Sequence, residues 1–162
     1  MVEISAIGDS NAAAPVENVA ELQFGPEFED IHILSNAQVA VILQVSANSA
    51  VNRDEELNEV YRKTQKYVNR FNTMTNPEKE HQELVDELDN LQDALSTFRK
   101  ETDDGDELEL HGAEVAALMN LVATDTLVEE AVALIPSLSR FPEAAIDEIL
   151  DLIRSTMIRI VS

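Results

Sequence analysis

Apolar side chains recur at spacings of three and four residues through most of the chain, and this pattern predicts a mainly α-helical protein. Ser35 is a favourable N-cap, so a short helix is predicted to follow it, before a polar connection over residues 46–53. Three acidic residues at 54–56 predict the start of a second helix, which should reach about Phe71. The residues predicted to share its apolar face are Leu57, Val60, Tyr61, Thr64, Tyr67, Val68 and Phe71.

The third predicted helix carries the most regular apolar pattern. Asn76–Pro77 is expected to open it, and a charged loop over residues 101–107 should follow it. Its apolar residues alternate by four and three, as in a heptad seam. Such a seam lies inside a protein core more often than between subunits. The seam residues are Leu84, Leu88, Leu91, Leu95 and Phe98.

The C-terminal third predicts three more helices, for a total of six. The first has five inward-facing residues, Leu110, Val115, Leu118, Met119 and Val122. Thr124 or Asp125 is expected to cap the next helix, which should stop near Leu134–Ile135 because Pro136 follows. Pro142 then fits the first turn of a last helix reaching about Ile160. Between the two prolines the chain should turn a corner that packs against a core through Ile135, Leu138 and Phe141.

The N-terminal part lacks helical periodicity. Residues 1–20 are predicted to form a disordered acidic arm. Residues 21–34 are predicted to form a short extended or hairpin-like piece with a turn at Gly25–Pro26. Its apolar residues Leu22, Phe24 and Phe28 either pack back on the chain's own helices or dock on another subunit, and the pattern leaves both possibilities open.

The charge of the chain excludes several functions. Eleven basic residues against 32 acidic ones give a net charge of −21. Nucleic acids and anionic membranes are bound chiefly through Lys and Arg, so any contact with DNA or RNA should come indirectly, through a partner. The chain has no cysteine, no run of about 18 apolar residues, and no basic residue near its start that would suit a targeting peptide. A soluble intracellular protein without membrane contact is expected.

The candidate chemical sites are weak. Glu78 with His81, and His111 with Glu114, have the spacing of two metal ligands on one helical face, but a di-metal bundle needs further carboxylates in a set pattern. The acidic stretch around Gly105 fails as a calcium loop because Lys100 would occupy the first ligand position. No glycine-rich phosphate loop or nucleophile elbow is present. We therefore expect no catalytic residue, no metal and no cofactor.

Two end segments carry a family resemblance. The stretch AELQFGPEFEDIHILSNAQVAVIL resembles the opening of the fourth-subunit family of eukaryotic RNA polymerase II. EEAVALIPSLSRFPEAAIDEILDLI is similar to the C-terminal end of that family, with its Ala-Leu-Ile-Pro-Ser-Leu corner. Between them, NEVYRKTQKYVNRFN and LHGAEVAALMNL resemble two of the family's helices. The stretch 76–107 looks longer and more acidic than the family pattern.

The resemblance implies a tip region over residues 21–53 and a helical domain over 54–162, a bundle of the helicase and RNase-D C-terminal type. It also implies a nuclear, non-catalytic stalk subunit that pairs with an OB-fold stalk subunit. The pair would dock on the polymerase core near the clamp and the RNA exit channel, and support initiation and transcript handling. Alternatives are a stalk subunit of polymerase III or of a plant-specific polymerase, or a free-standing helical adaptor. By similarity, the partner-binding residues are Leu22, Phe24, Phe28, Leu34, Val39 and Leu43.

Overall fold

The structure is a computed structural model that describes residues 17–28 and 31–162. This part of the chain contains six α-helices, which confirms the mainly α prediction. The helices are α1 Asn36–Asn52, α2 Glu59–Phe71, α3 His81–Ser96, α4 Gly112–Leu121, α5 Val128–Leu134 and α6 Glu143–Val161. Strands β1 Arg99–Glu101 and β2 Glu107–Glu109 pair antiparallel between α3 and α4. Short 3-10 turns occupy Val19–Glu21, Pro26–Phe28 and Pro136–Arg140.

The core is centred on the packing of α3 against α6. Four leucines of the predicted heptad seam are almost fully buried on α3, which confirms that the seam is internal. They are Leu84, Leu88, Leu91 and Leu95. The opposing face of α6 repeats every three or four residues, and its buried apolar residues are Ala145, Ile146, Ile149, Leu150, Ile153, Met157 and Ile160. The five predicted inward-facing residues at 110–122 are also buried, as predicted.

The proline corner forms as the sequence predicts. Helix α5 ends at Leu134, the 3-10 turn begins with Pro136, and Pro142 is the N-cap residue of α6. The side chains of Ile135, Leu138 and Phe141 are buried in the core. The corner therefore fixes the angle between α5 and α6 through its own apolar residues.

Two predicted boundaries of the early helices are wrong. Helix α1 continues through the stretch predicted as a polar connection and ends at Asn52, with Ala50 buried. The second helix cannot start at residue 54 because Asp54 has a φ of 54°, in the left-handed region. It begins instead after Asn58, whose side-chain oxygen accepts a hydrogen bond from the Tyr61 N–H at 2.8 Å.

The predicted starts of α3 and α5 are also early, by about one turn. Asn76 forms a local turn by accepting the Glu78 N–H at 3.0 Å, and its amide donates to the Ile160 carbonyl at 2.9 Å. Before α5, the Thr126 hydroxyl accepts the Ala123 N–H at 2.8 Å. Asn76, which the sequence suggests as the start of a helix, thus builds a turn that precedes it.

The charged loop at 101–107 is shorter than predicted, since its ends belong to the two strands. Arg99 is opposite Glu109, and its guanidinium contacts the carboxylates of Glu107 and Glu109 at 3.3 and 3.0 Å. The turn closes with a hydrogen bond from Thr102 N–H to the Asp106 carbonyl, and Gly105 adopts a φ of 84°. Opposite charges across the strands favour the pairing.

An ion pair between a buried carboxylate and a partly exposed guanidinium ties the hairpin, α4 and the proline corner together. Glu114, in the first turn of α4, is 1% exposed, and its carboxylate accepts two hydrogen bonds from Arg140, at 2.6 and 2.7 Å. It also accepts the Ser137 hydroxyl and the His111 N–H. Arg140 donates further to the carbonyls of Ser137 and Glu109. Burial raises the pKa of Glu114, but the hydrogen bonds and the charge of Arg140 outweigh it and hold that pKa below its usual value.

We predict that Leu88→Ala lowers the free energy of unfolding by about 3 kcal/mol, because it leaves a cavity where α3 meets α6. Urea denaturation of the purified chain measures this. Leu134→Ala is the control, since Leu134 is 51% exposed and its truncation should change stability by less than about 0.5 kcal/mol. Equal effects of the two variants would place the core elsewhere.

We predict that Arg140→Met destabilises the chain by about 3 kcal/mol at neutral pH, because it strands the Glu114 carboxylate in the core. A lowered folded-state pKa means that the pair contributes stability above the ordinary value of 4.5, and that this contribution is lost as the pH falls through the folded value. The stability difference between the Arg140→Met variant and the unaltered chain should therefore shrink below about pH 4.5. Urea unfolding at several pH values checks this, and a deficit independent of pH would contradict it.

Candidate protein-docking surface

The segment before α1 folds into turns, whereas the sequence predicts an extended or hairpin-like piece. Asn18 and Gln23 form one antiparallel bridge with two mutual backbone hydrogen bonds of 2.9 Å. Leu22, between them, takes a left-handed φ of 56° that closes the first 3-10 turn. Pro26 starts the second 3-10 turn, where its fixed φ is compatible with the geometry. No strand of the described residues lies alongside to extend this bridge into a sheet.

The first two predicted partner-binding residues pack on this chain's own helices. The Phe24 ring stacks on His111 at 5.4 Å between ring centroids. Leu22 and Phe24 both line a small cavity of about 170 Å³ against α4 and the proline corner. Both are half-buried. For these two residues the structure therefore favours packing within the chain over full exposure.

Phe24, Phe28 and Leu34 come together in one apolar groove of about 390 Å³. Phe28 is 48% and Leu34 37% exposed. The floor of the groove is the α4 face formed by the small side chains of Ala113, Ala116 and Ala117, with Asn120 at one end. Ile31 and Ile33 complete its lining.

The apolar surface continues on α1, but through residues other than the predicted ones. Val39 and Leu43 are half-buried, whereas Ile42 is 50% and Val45 46% exposed. We call the exposed set the N-terminal apolar surface, and it consists of Phe28, Ile31, Leu34, Ile42 and Val45.

Sequence reasoning missed Ile31, Ile42 and Val45 as site residues. The helical periodicity of α1 could not reveal Ile42 and Val45, because the buried face of this helix is formed mainly by small residues. That face consists of Ala37, Gln38, Ala40, Val41 and Ala50. The larger side chains are left outside, which reverses the usual rule for an amphipathic helix.

Polar contacts fix the base of this surface to the helical body. Ser35 and Gln38 form a capping box at the start of α1. The Gln38 amide donates to Gln92 of α3 at 2.8 Å, and the Gln92 amide donates to the Ile33 carbonyl at 3.2 Å. The Asn120 side-chain oxygen of α4 accepts the Asn36 N–H at 2.8 Å. The exposed apolar residues thus project from an anchored backbone.

The candidate metal pairs have structural roles instead. Glu114 and His111 form the capping box of α4, and the Glu114 carboxylate is fully used by the contacts described above. Glu78 donates its N–H to the turn at Asn76, and His81 begins α3 on the surface. Across residues 17–28 and 31–162, no group of three or more His, Asp or Glu side chains is arranged to hold a metal. Over the same residues, no helix has the length and apolarity needed to cross a membrane.

The arrangement is suited to binding an apolar partner. A cluster of exposed aliphatic and aromatic residues on an anchored backbone is typical of protein-interaction surfaces.

Comparisons with known proteins agree with this description. The sequence model of the family described as RNA polymerase Rpb4 matches residues 30–157. The chain is also similar to the DNA-directed RNA polymerase II subunit 4 of Arabidopsis thaliana, with 30% identity over 139 residues. That alignment covers 83% of this chain and 86% of the Arabidopsis protein. The chain therefore belongs to the RNA polymerase Rpb4 family, and it is a non-catalytic subunit of a DNA-directed RNA polymerase.

Proposed function

We propose that this chain is a stalk subunit of nuclear RNA polymerase II. It pairs with an OB-fold stalk subunit, and the pair docks on the polymerase core near the clamp and the RNA exit channel. There it supports initiation and the handling of the emerging transcript. The similarity to a polymerase II subunit 4 supports the choice of polymerase and the nuclear location.

The observation that carries the proposal is the N-terminal apolar surface. Its five residues are each between 37% and 50% exposed, and Phe28, Ile31 and Leu34 line one apolar groove. The predicted partner-binding residues lie within it or directly beside it. Phe28 and Leu34 belong to it, Phe24 shares the groove, Leu22 lines the adjoining cavity, and Val39 and Leu43 lie on the same helix as Ile42.

The charge distribution supports a division of labour within the pair. Residues 76–106 contain eleven acidic residues and three basic ones, so the region around α3 repels a phosphate backbone. An OB-fold partner has a surface suited to single-stranded nucleic acid. We infer that the partner faces the RNA while this chain joins the partner to the polymerase and holds it there.

We predict that Phe28→Asp weakens the affinity for the OB-fold stalk subunit at least tenfold, because it places a charge in the apolar interface. Ile42→Asp should act similarly and would extend the interface to α1. Both residues are on the surface, so the far-UV circular dichroism of the chain should not change. Affinity is measured by calorimetric titration of one purified subunit into the other.

Leu127→Asp is the matched control for these variants. Leu127 is 57% exposed, precedes α5, and lies outside the N-terminal apolar surface. The Leu127→Asp variant should bind the OB-fold stalk subunit with the same affinity as the unaltered chain. Unchanged affinity of both Phe28→Asp and Ile42→Asp would place the interface elsewhere. Absence of any binding by the unaltered chain would leave a stalk subunit of another polymerase, or a free-standing adaptor, as the better assignment.

A further inference from the structure

Helix α2 differs from the rest of the chain in charge. It contains four of the eleven basic residues and only one of the 32 acidic ones. The basic residues are Arg62, Lys63, Lys66 and Arg70, and Lys63 is paired with Glu59 at 2.9 Å. Among residues 17–28 and 31–162, no carboxylate lies within ion-pair distance of the other three. These three charges are therefore available to an outside partner.

The same helix exposes an apolar stripe. Val60 is 74%, Tyr67 58% and Phe71 47% exposed, and their spacings of seven and four place them on one face. A neighbouring face packs on α1 through the buried Val68 and through Tyr61, whose hydroxyl donates to the Leu43 carbonyl. The basic residues follow on the other side of the stripe. In α2 the inward face, the exposed apolar stripe and the basic face are thus three adjacent sectors.

We propose that this outer face of α2, which we call the α2 face, docks a short acidic amphipathic helix of another protein. Apolar side chains of that helix would cover Val60, Tyr67 and Phe71, while its carboxylates would pair with Lys66 and Arg70. Helix-on-helix recognition of this kind uses anchors three, four and seven residues apart, and the stripe has the spacings of seven and four. The opposite charges guide the approach and fix the orientation.

Charge complementarity selects a partner other than this chain. With a net charge of −21, two copies repel each other over most of their surfaces. Residues 1–16 contain only two acidic residues, Glu3 and Asp9, and so offer few carboxylates to the three available cations.

The aromatic geometry favours a protein segment over a nucleic acid. Tyr67 and Phe71 contact each other in a tilted pair, with ring centroids 4.9 Å apart and planes at 52°. The Arg70 guanidinium lies over the Phe71 ring at 5.3 Å. A platform that stacks bases needs open, parallel ring faces, and here one ring face is covered. The ring edges of this pair and the neighbouring aliphatic side chain of Val60 remain exposed, and such groups suit packing against the side chains of a protein.

The test uses a fluorescein-labelled acidic peptide of about four helical turns, with Leu and Phe at spacings of three and four between Glu and Asp. Fluorescence anisotropy measures its binding to the full chain. We expect micromolar affinity, which should weaken as the salt concentration is raised from about 50 to about 300 mM. Lys66→Glu/Arg70→Glu should weaken binding at least about fivefold. Tyr67→Ala/Phe71→Ala should weaken it to a similar degree without changing the net charge.

Arg53→Glu/Lys100→Glu is the matched control, because it changes the net charge equally outside α2, at the exposed Arg53 and the half-buried Lys100. The proposal is overturned if this control weakens binding as much as the α2 variant does, or if no binding is detected. It is also overturned if a scrambled peptide of the same composition binds equally well, or if oligouridine displaces the peptide at lower concentration than unlabelled peptide does.

Two further measurements test whether the α2 face instead contacts the OB-fold stalk subunit or a second copy of this chain. Loss of affinity for the OB-fold stalk subunit in Lys66→Glu/Arg70→Glu would make the α2 face part of the heterodimer and would overturn the proposal. Self-association that this variant abolishes, seen by sedimentation, would make a second copy the occupant. Retained affinity for the stalk subunit together with lost peptide binding supports a separate docking surface. Because the chain is tested alone, failure of the proposed stalk function would not alter this result.

Discussion

The Glu114–Arg140 ion pair is the interaction on which the arrangement of the C-terminal half depends. One buried carboxylate joins the start of α4 to the proline corner, and the same guanidinium reaches the carbonyl of Glu109 at the end of β2. The Arg140 guanidinium also lies over the ring of Phe141, its neighbour in the proline corner, at 4.7 Å from the ring centroid. A planar, bidentate donor suits this role because it fixes orientation as well as distance. The position of α4 in turn decides where the floor of the apolar groove lies.

The apolar groove shows how a non-catalytic subunit can specify a partner. Its floor is flat because α4 presents alanines there, and its walls come from the irregular segment before α1. The side chain of Gln92 holds that segment at the Ile33 carbonyl, and the side chain of Asn120 holds the first residue of α1. A surface held in place before binding loses less conformational entropy on association than a flexible one. The same segment therefore serves the fold on one side and leaves apolar side chains exposed on the other.

Two kinds of surface lie on neighbouring helices. The surface around Ile42 on α1 is apolar, whereas α2 combines an apolar stripe with the cations Lys66 and Arg70. Acidic residues dominate α3 and the hairpin that follows it. Such segregation suits the two proposed docking surfaces to partners of different charge, since like charges repel.

The sequence by itself determined the helical class, the leucine seam of α3, the proline corner and the excess of acidic charge, because each depends on local spacing or on composition. It could not place the start of α3 at His81, since the turn before that helix depends on Asn76, whose amide donates to the distant Ile160 carbonyl. Nor could it show that Ile42 is outside while Ala40 is inside. Only the tertiary structure decided this, because α1 packs closely against its neighbours through its small residues, and close packing requires small side chains at the contact.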